Sequence, residues 1–330
     1  MRTITIGGVP LEVKDYYCAK SSGAGEEDNG KYFLKDEPKL WLYVNVTDSC
    51  NAACPFCVNS LMGQEQRQNT IDLGKFENVL QKIAPFVGGL SFTGGEPMLE
   101  ADMLREAIRI ADHALSDDVE LDMVTNGTEL NRLPEFHDLN RLTTMHISRH
   151  AVNDEDNRKL MCWPSAPGSS ELKEVIAMID SPGEIVLNCV MQRGGINDLD
   201  GVADYLDFAI DMGVDNNCFA EYISDGGDGG SENGIMNVSE MNKLGSCFGQ
   251  ETIAEWNASH GSSEFRIWNQ HHDYDFCRCI NGDYRNEHGI TRFYYRAPSG
   301  LKKPAYCRQL VYTADNKLLA GFGMEEHLIF

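Results

Sequence analysis

From Trp41 to Ile223 the sequence alternates short apolar, strand-like runs with amphipathic helical stretches, and that alternation constrains the fold more than any other feature. Strand candidates fall at 41–46, 89–92, 120–125, 142–148, 184–191 and 217–223. Between them, apolar residues recur at three- to four-residue spacing, as in Phe76, Val79, Leu80 and Ile83. Leu104, Ala107, Ile108 and Ala111 form a second stripe, and Leu199, Val202, Leu206 and Ala209 a third. Strands separated by helices imply an α/β fold with a parallel sheet and right-handed crossovers. In such folds the chemistry gathers at the C-terminal ends of the strands.

The first strand closes into Thr47-Asp48-Ser49-Cys50-Asn51-Ala52-Ala53-Cys54-Pro55-Phe56-Cys57. Cys50, Cys54 and Cys57 therefore have C-x3-C-x2-C spacing in one short loop. Such a loop can wrap one face of a cubane iron–sulfur cluster and bond three irons, leaving the fourth open to a ligand that is not protein. Electron-transfer clusters use four thiolates, and structural zinc also takes four closed ligands. Three close cysteines point to a cluster that does chemistry; the alternative is a zinc loop completed by a distant His or Cys. The second strand ends in Thr93-Gly94-Gly95-Glu96-Pro97. Its glycines permit close backbone approach, and Glu96 offers an acceptor to a cationic amine.

Composition narrows the partners. A net charge of −23 with no basic stripe argues against nucleic acid, because phosphate binding needs Lys/Arg clusters. No run of about 18 apolar residues is present to span a bilayer. The N-terminal Met1-Arg2-Thr3-Ile4-Thr5-Ile6-Gly7-Gly8 has no signal-peptide core. A cytoplasmic location is expected. Eleven cysteines without an export signal fit metal ligation plus a few buried thiols better than a disulfide framework.

The chain divides into an N-terminal appendage (1–40), the alternating segment (41–224), a flexible linker or lid (225–236) and a smaller C-terminal module (237–330). In the appendage, Thr3-Ile4-Thr5-Ile6 and Leu11-Glu12-Val13 flank Gly7-Gly8 as a hairpin would. The linker is Gly- and Asp-rich. The C-terminal module offers a helix-like stretch at 238–257 and strand-like stretches at 264–268, 291–296 and 308–313.

The cysteine loop and the Gly-Gly-Glu-Pro motif, in this order at two successive strand ends, resemble the radical S-adenosylmethionine (SAM) superfamily. The resemblance implies a partial (β/α)6 TIM-like barrel with a [4Fe–4S] cluster on Cys50, Cys54 and Cys57. SAM would chelate the open iron. One electron, from a low-potential donor such as flavodoxin or ferredoxin, would cleave SAM to a 5′-deoxyadenosyl radical that abstracts hydrogen from substrate. The same resemblance implies SAM contacts from Phe56, Gly94, Gly95, Glu96, Asn126, Ser148, Asn188 and Ile223.

Within that superfamily the chain resembles the GTP 3′,8-cyclase group from about Leu42 to Ile223 and again at 307–318. That group carries a second, auxiliary cluster near the C-terminus, which here implies Cys277, Cys279 and Cys307 as ligands. Buried or surface thiols are the alternative. The sequence also departs from the group. Ser91, Val186, Cys218, Gln309 and Val311 stand where the cyclases have cationic residues, Leu319-Ala320-Gly321 lacks their third auxiliary cysteine, and the chain ends Leu328-Ile329-Phe330 rather than Gly-Gly. A triphosphate needs several cationic partners, so GTP cyclisation is not expected.

Cys218 alternates with Ala220 on the sixth strand, and by the resemblance faces the barrel interior. It is a candidate hydrogen-atom donor to a substrate radical, against the reading of a small core residue. His146, Arg149 and His150 around Ser148 read either as a SAM-contacting cluster or as a solvated strand end. His271-His272 reads as a surface pair, and Cys18, Cys162 and Cys247 as structural thiols. The expected function is a radical SAM enzyme that modifies a peptide by epimerisation or crosslinking. Radical modification of a small molecule, such as a sugar or nucleotide, is the alternative, and a non-catalytic iron–sulfur or zinc protein on a barrel is the third reading.

Overall fold

The structure is a computed structural model and describes residues 2–13, 16–18, 31–33, 39–57, 68–137, 141–179, 185–221, 248–273, 277–298, 307, 309–321 and 328–330. The chain opens with β1 (Arg2–Ile6) and β2 (Val9–Val13), an antiparallel hairpin. Gly7 and Gly8 turn it at φ +58° and +84°, in the left-handed region that glycine enters at little cost. Its alternation buries Ile4, Ile6, Leu11 and Val13 in the main core. A second short hairpin pairs β3 (Tyr16–Cys18) with β4 (Lys31–Phe33).

The central unit follows: β5 (Leu40–Thr47), α1 (Leu73–Ile83), β6 (Val87–Gly94), α2 (Ala101–Ala114), β7 (Glu120–Thr125), α3 (Leu133–His137), β8 (Thr144–Ser148), α4 (Asp154–Leu160), α5 (Ser169–Ile176), β9 (Ile185–Met191), α6 (Leu199–Met212) and β10 (Asn216–Glu221). The six strands from β5 to β10 pair in parallel and in sequence order. This is the (β/α)6 partial barrel that the alternation and the family resemblance imply, with every strand limit within two residues of the expected one. Local chemistry starts and stops its helices. Asp72 accepts from Lys75 N and Asp198 from Gly201 N, each satisfying an amide that a helix start leaves open, while Gly213 ends α6 in the left-handed region.

Beyond it lie α7 (Gln250–Ser259), β11 (Glu264–Asp273), β12 (Cys277–Arg285), β13 (Ile290–Pro298), β14 (Gln309–Tyr312) and β15 (Leu318–Leu319). These strands do not form a sheet of their own. β13 adds to β10 in parallel and carries β12 and β11 antiparallel, while β14 adds in parallel to β5, giving one 11-stranded sheet. Of the expected helix at 238–257, the structure describes the end that lies in α7; residues 238–247 and the 225–236 linker fall outside the described residues.

Strand alternation sorts the side chains. Leu42, Val44, Leu90, Phe92, Leu121, Met123, Met145, Ile147, Leu187 and Phe219 are buried in the core with the helix stripes. Ser91, Asp122, His146, Ser148, Asn188 and Cys218 alternate with them along the strands and line the other, concave face.

Candidate active site

The three cysteines of the loop after β5 are each partly exposed and unbridged. The loop is folded on itself by Cys57 N donating to Cys54 O at 3.0 Å and Ala52 N approaching Cys50 Sγ at 3.4 Å. It is also held from outside. Ala53 N donates to Met161 O at 3.1 Å, and Cys54 Sγ lies 3.5 Å from the same oxygen. Phe56 is buried with Val190 and Cys54, its ring set edge-on to His150 with centroids 4.7 Å apart.

The sulfurs sit close enough to oppose each other's ionisation. Burial pushes the Cys54 thiol up to about 12, and the charges of Cys57 and Cys50 push in the same direction. Cys50 is raised for the same reasons, with Glu96 adding to it. Three thiolates in one loop therefore need a cationic centre to neutralise them, as an iron–sulfur cluster does. The loop supplies the right donor type, three thiols, although among the described residues no three His, Cys, Asp or Glu side chains stand close enough together to hold a metal ion.

Gly94 and Gly95 make this loop possible. Gly95 N donates to Thr47 O and Glu96 N to Ser49 O, both at 2.7 Å, so the end of β6 is stitched to the start of the cysteine loop. A Cβ on Gly95 would lie 2.1 Å from Ser49 O, and one on Gly94, at φ +130°, 2.5 Å from Thr47 O. The close approach seen here is thus between backbones. Glu96 is buried and takes three donors: Met98 N and Thr125 Oγ1 on Oε1 at 2.9 and 2.7 Å, and Asn126 N on Oε2 at 2.6 Å. Burial raises its carboxyl to about 7 and the three hydrogen bonds pull it back. A neighbouring ammonium would draw it to the carboxylate form.

Asn126 links this clamp to the cysteines. Its Nδ2 donates to Asn51 Oδ1 at 2.9 Å and reaches Cys50 Sγ at 3.9 Å, while its Oδ1 accepts from Thr128 N and Oγ1. Asn51 in turn donates to Thr128 Oγ1 at 2.8 Å. The contributions of Asn51, Thr128 and Met161 escaped the sequence reading: two are common turn residues and one acts through its carbonyl.

Ser148 and Asn188 are direct partners on β8 and β9, and Asn188 is again the partner of Cys218 on β10. The structure so brings three of the sequence-selected residues into one row at the barrel's upper end. The cluster around Ser148 splits. His150 is fully buried, accepts from Val190 N at 3.1 Å, and is lowered to about 3 by burial and then by the Arg149 charge. Arg149 is buried and bonds Ala151 O, Val152 O and Asp154. His146 alone faces the concave side, between Asn188 and Asp122.

The remaining candidates are more scattered. Ile223 lies outside the described residues. Cys277 and Cys279 enter β12, paired in register with Pro298 and Arg296 of β13. Cys307 precedes β14, bridges to Val13 of the N-terminal hairpin, and is pushed up to about 11 by burial. Among the described residues, no helix is long and apolar enough to cross a membrane.

Six parallel strands, a three-thiol loop at the first strand end and a buried glutamate at the second are the arrangement that the sequence leads one to expect. Residues 44–194 match the model of the Radical SAM superfamily, and the chain carries a radical SAM domain. Among curated relatives, the GTP 3′,8-cyclase of Pseudomonas syringae pv. syringae is 33% identical over 184 residues, covering 53% of this chain and 52% of the relative. GTP 3′,8-cyclase 1 of Pseudomonas aeruginosa is 28% identical over 301 residues, covering 87% and 81%. The chain thus spans about half the length of the first of these relatives. Among solved structures, Streptococcus suis SuiB bound to precursor peptide SuiA superposes with a TM-score of 0.59 at 15% identity, covering 87% of this chain and 60% of that one. That likeness bears on the fold.

Proposed function

We propose that the chain is a radical SAM enzyme that abstracts hydrogen from a peptide. The observation that carries the radical chemistry is the placing of Cys50, Cys54 and Cys57 in one loop after β5, with Asn126 reaching Cys50 Sγ at 3.9 Å and bonded to Glu96 through its backbone N–H. When bound, a [4Fe–4S] cluster and SAM supply the one-electron chemistry that generates the 5′-deoxyadenosyl radical. The chain's own residues bind and orient. The three cysteines hold the cluster. Gly94 and Gly95 seat the loop, Glu96 receives the SAM ammonium, and Asn126, Phe56, Ser148 and Asn188 shape the surrounding contacts. Ile223 completes this set by resemblance. Cys218, in the row with Asn188 and Ser148, would return a hydrogen atom to the substrate radical.

The concave face supports a peptide over a nucleoside triphosphate. Ser91, at a position where the cyclases carry a cation, pairs in register with the buried Asp122. A carboxylate there opposes a polyanion and suits a substrate rich in N–H donors. The small-molecule reading is favoured by a different observation, the cyclase names of the curated relatives.

A second [4Fe–4S] cluster on Cys277, Cys279 and Cys307, a flavodoxin or ferredoxin donor and a cytoplasmic location complete the proposal. Anaerobic reconstitution with iron counting and a 5′-deoxyadenosine assay tests it. About eight irons per chain, falling to about four on Cys277→Ala, is the expected result for two clusters. No 5′-deoxyadenosine from a fully loaded protein with dithionite, with or without peptide, would favour the non-catalytic reading.

A further inference from the structure

Asp122, His146 and Asn188 come from three adjacent strands, β7, β8 and β9, and meet on the concave face. His146 Nδ1 lies 3.2 Å from Asn188 Oδ1, and Nε2 lies 3.6 Å from Asp122 Oδ2. Asp122 is 2% exposed, and the Thr143 hydroxyl stands 3.2 Å from its Oδ1 and 3.0 Å from Leu121 O. The His146 side chain is 16% exposed and Asn188 is also partly exposed, so ring and amide both face the concave side while Asp122 lies beneath them. It stands two residues before Ser148 on the same face of β8, about 7 Å deeper in the barrel by strand geometry.

Each ring nitrogen has a distinct part. With its proton on Nδ1, directed at Asn188 Oδ1, the imidazole leaves the Nε2 lone pair free. The 3.6 Å separation from Asp122 is too long for a hydrogen bond, so Nε2 is not tied up by the carboxylate. A proton arriving on Nε2 would nevertheless be stabilised by that negative charge, as a carboxylate stabilises an imidazolium in hydrolases. Asp122 of β7 lies beside the ring, and Cys218 of β10 stands one strand beyond Asn188. The β9 wall presents Val186 and Asn188.

We propose that His146 is the proton acceptor of the substrate chamber, with Asp122 and Asn188 as its positioning residues. Loss of a hydrogen atom from carbon acidifies an N–H or O–H beside the new radical. In the proposed step that X–H bond breaks, its electron pair stays on X, and the proton bonds to Nε2. No electron leaves the substrate, and His146 becomes a cation paired with Asp122. This rests on the radical-enzyme reading and gives its chamber an acid–base function.

Two measurements on the reconstituted holoenzyme test it. Slow Cε1–H exchange of histidine, read by mass spectrometry across pH, gives the His146 midpoint. Asp122→Asn is expected to move that midpoint. The second is the ratio of 5′-deoxyadenosine formed with and without a set of Ac-Gly-Xaa-Gly-amide peptides as probes. His146→Gln is expected to cut this ratio at least tenfold, and Asp122→Asn to shift the pH profile of kcat with KM little changed. An exchange midpoint unmoved by Asp122→Asn overturns the proposal, as does a stimulated rate indifferent to His146→Gln. A holoenzyme that cleaves SAM but answers no peptide counts against the peptide reading, and the exchange midpoint then decides on His146. A holoenzyme that never cleaves SAM overturns both.

Discussion

Gly95 has no room for a side chain, because its missing Cβ would lie 2.1 Å from a backbone oxygen that cannot move without unseating the cysteine loop. Gly95→Ala is therefore expected to cost roughly 1–3 kcal/mol and to lower iron content after reconstitution, both readable from thermal melts and iron assays on one preparation. His150 acts through its neutrality. Its value drops from 6.5 to about 3 in the fold, so the unfolded chain binds the extra proton first as pH falls. The stability it contributes is complete above about pH 6.5 and is lost between there and pH 3, at about 1.4 kcal/mol per pH unit. Urea melts from pH 7.5 to 5 should show this slope, and His150→Gln should flatten it. Cys218 has a sharper test. In D2O its S–D would quench the 5′-deoxyadenosyl radical, so deuterium in 5′-deoxyadenosine formed without substrate should fall on Cys218→Ala; unchanged labelling would remove the thiol from the chamber.

At the scale of the element, the cysteine loop is shaped by its neighbours as much as by its own residues. Two turns hold it, 126–128 through Asn51 and Cys50, and 161 through Ala53 and Cys54. Asn126→Ala removes the side-chain link to both Asn51 and Thr128. The expected effect is roughly 1–3 kcal/mol on stability together with severalfold faster iron release to a chelator. Iron release equal to that of the native protein would show that the loop alone retains the cluster. The hairpin β1–β2 is a similar case, since its buried face belongs to the main core and its Glu12 O accepts from Cys307 N.

At the scale of the molecule, the sheet is continuous across both ends of the six-strand unit. β13 completes β10 and β14 completes β5, so both edges of that unit are satisfied by later chain, at 290–298 and 309–312. A fragment ending at 224 would expose two parallel edges and the apolar surface under them. It should run as aggregate on size exclusion while the full chain does not, and a monomeric, cooperatively melting fragment would refute this dependence.

The six strands, their order and the helix stripes were legible in the sequence because each is a local periodicity: two residues in a strand, near 3.6 in a helix. The cysteine loop and Glu96 were legible because close spacing puts chemistry within one turn. What tertiary structure alone decided are relations between distant residues. Asp122, His146 and Asn188 lie tens of residues apart and meet only because adjacent strands align them. Of the two histidines beside Ser148, one turned into the core and the other into the chamber, a choice set by which side of the strand end each occupies. The placing of the C-terminal strands was equally hidden, since an edge strand pairs with whatever backbone is free, and backbone hydrogen bonds carry no side-chain signature.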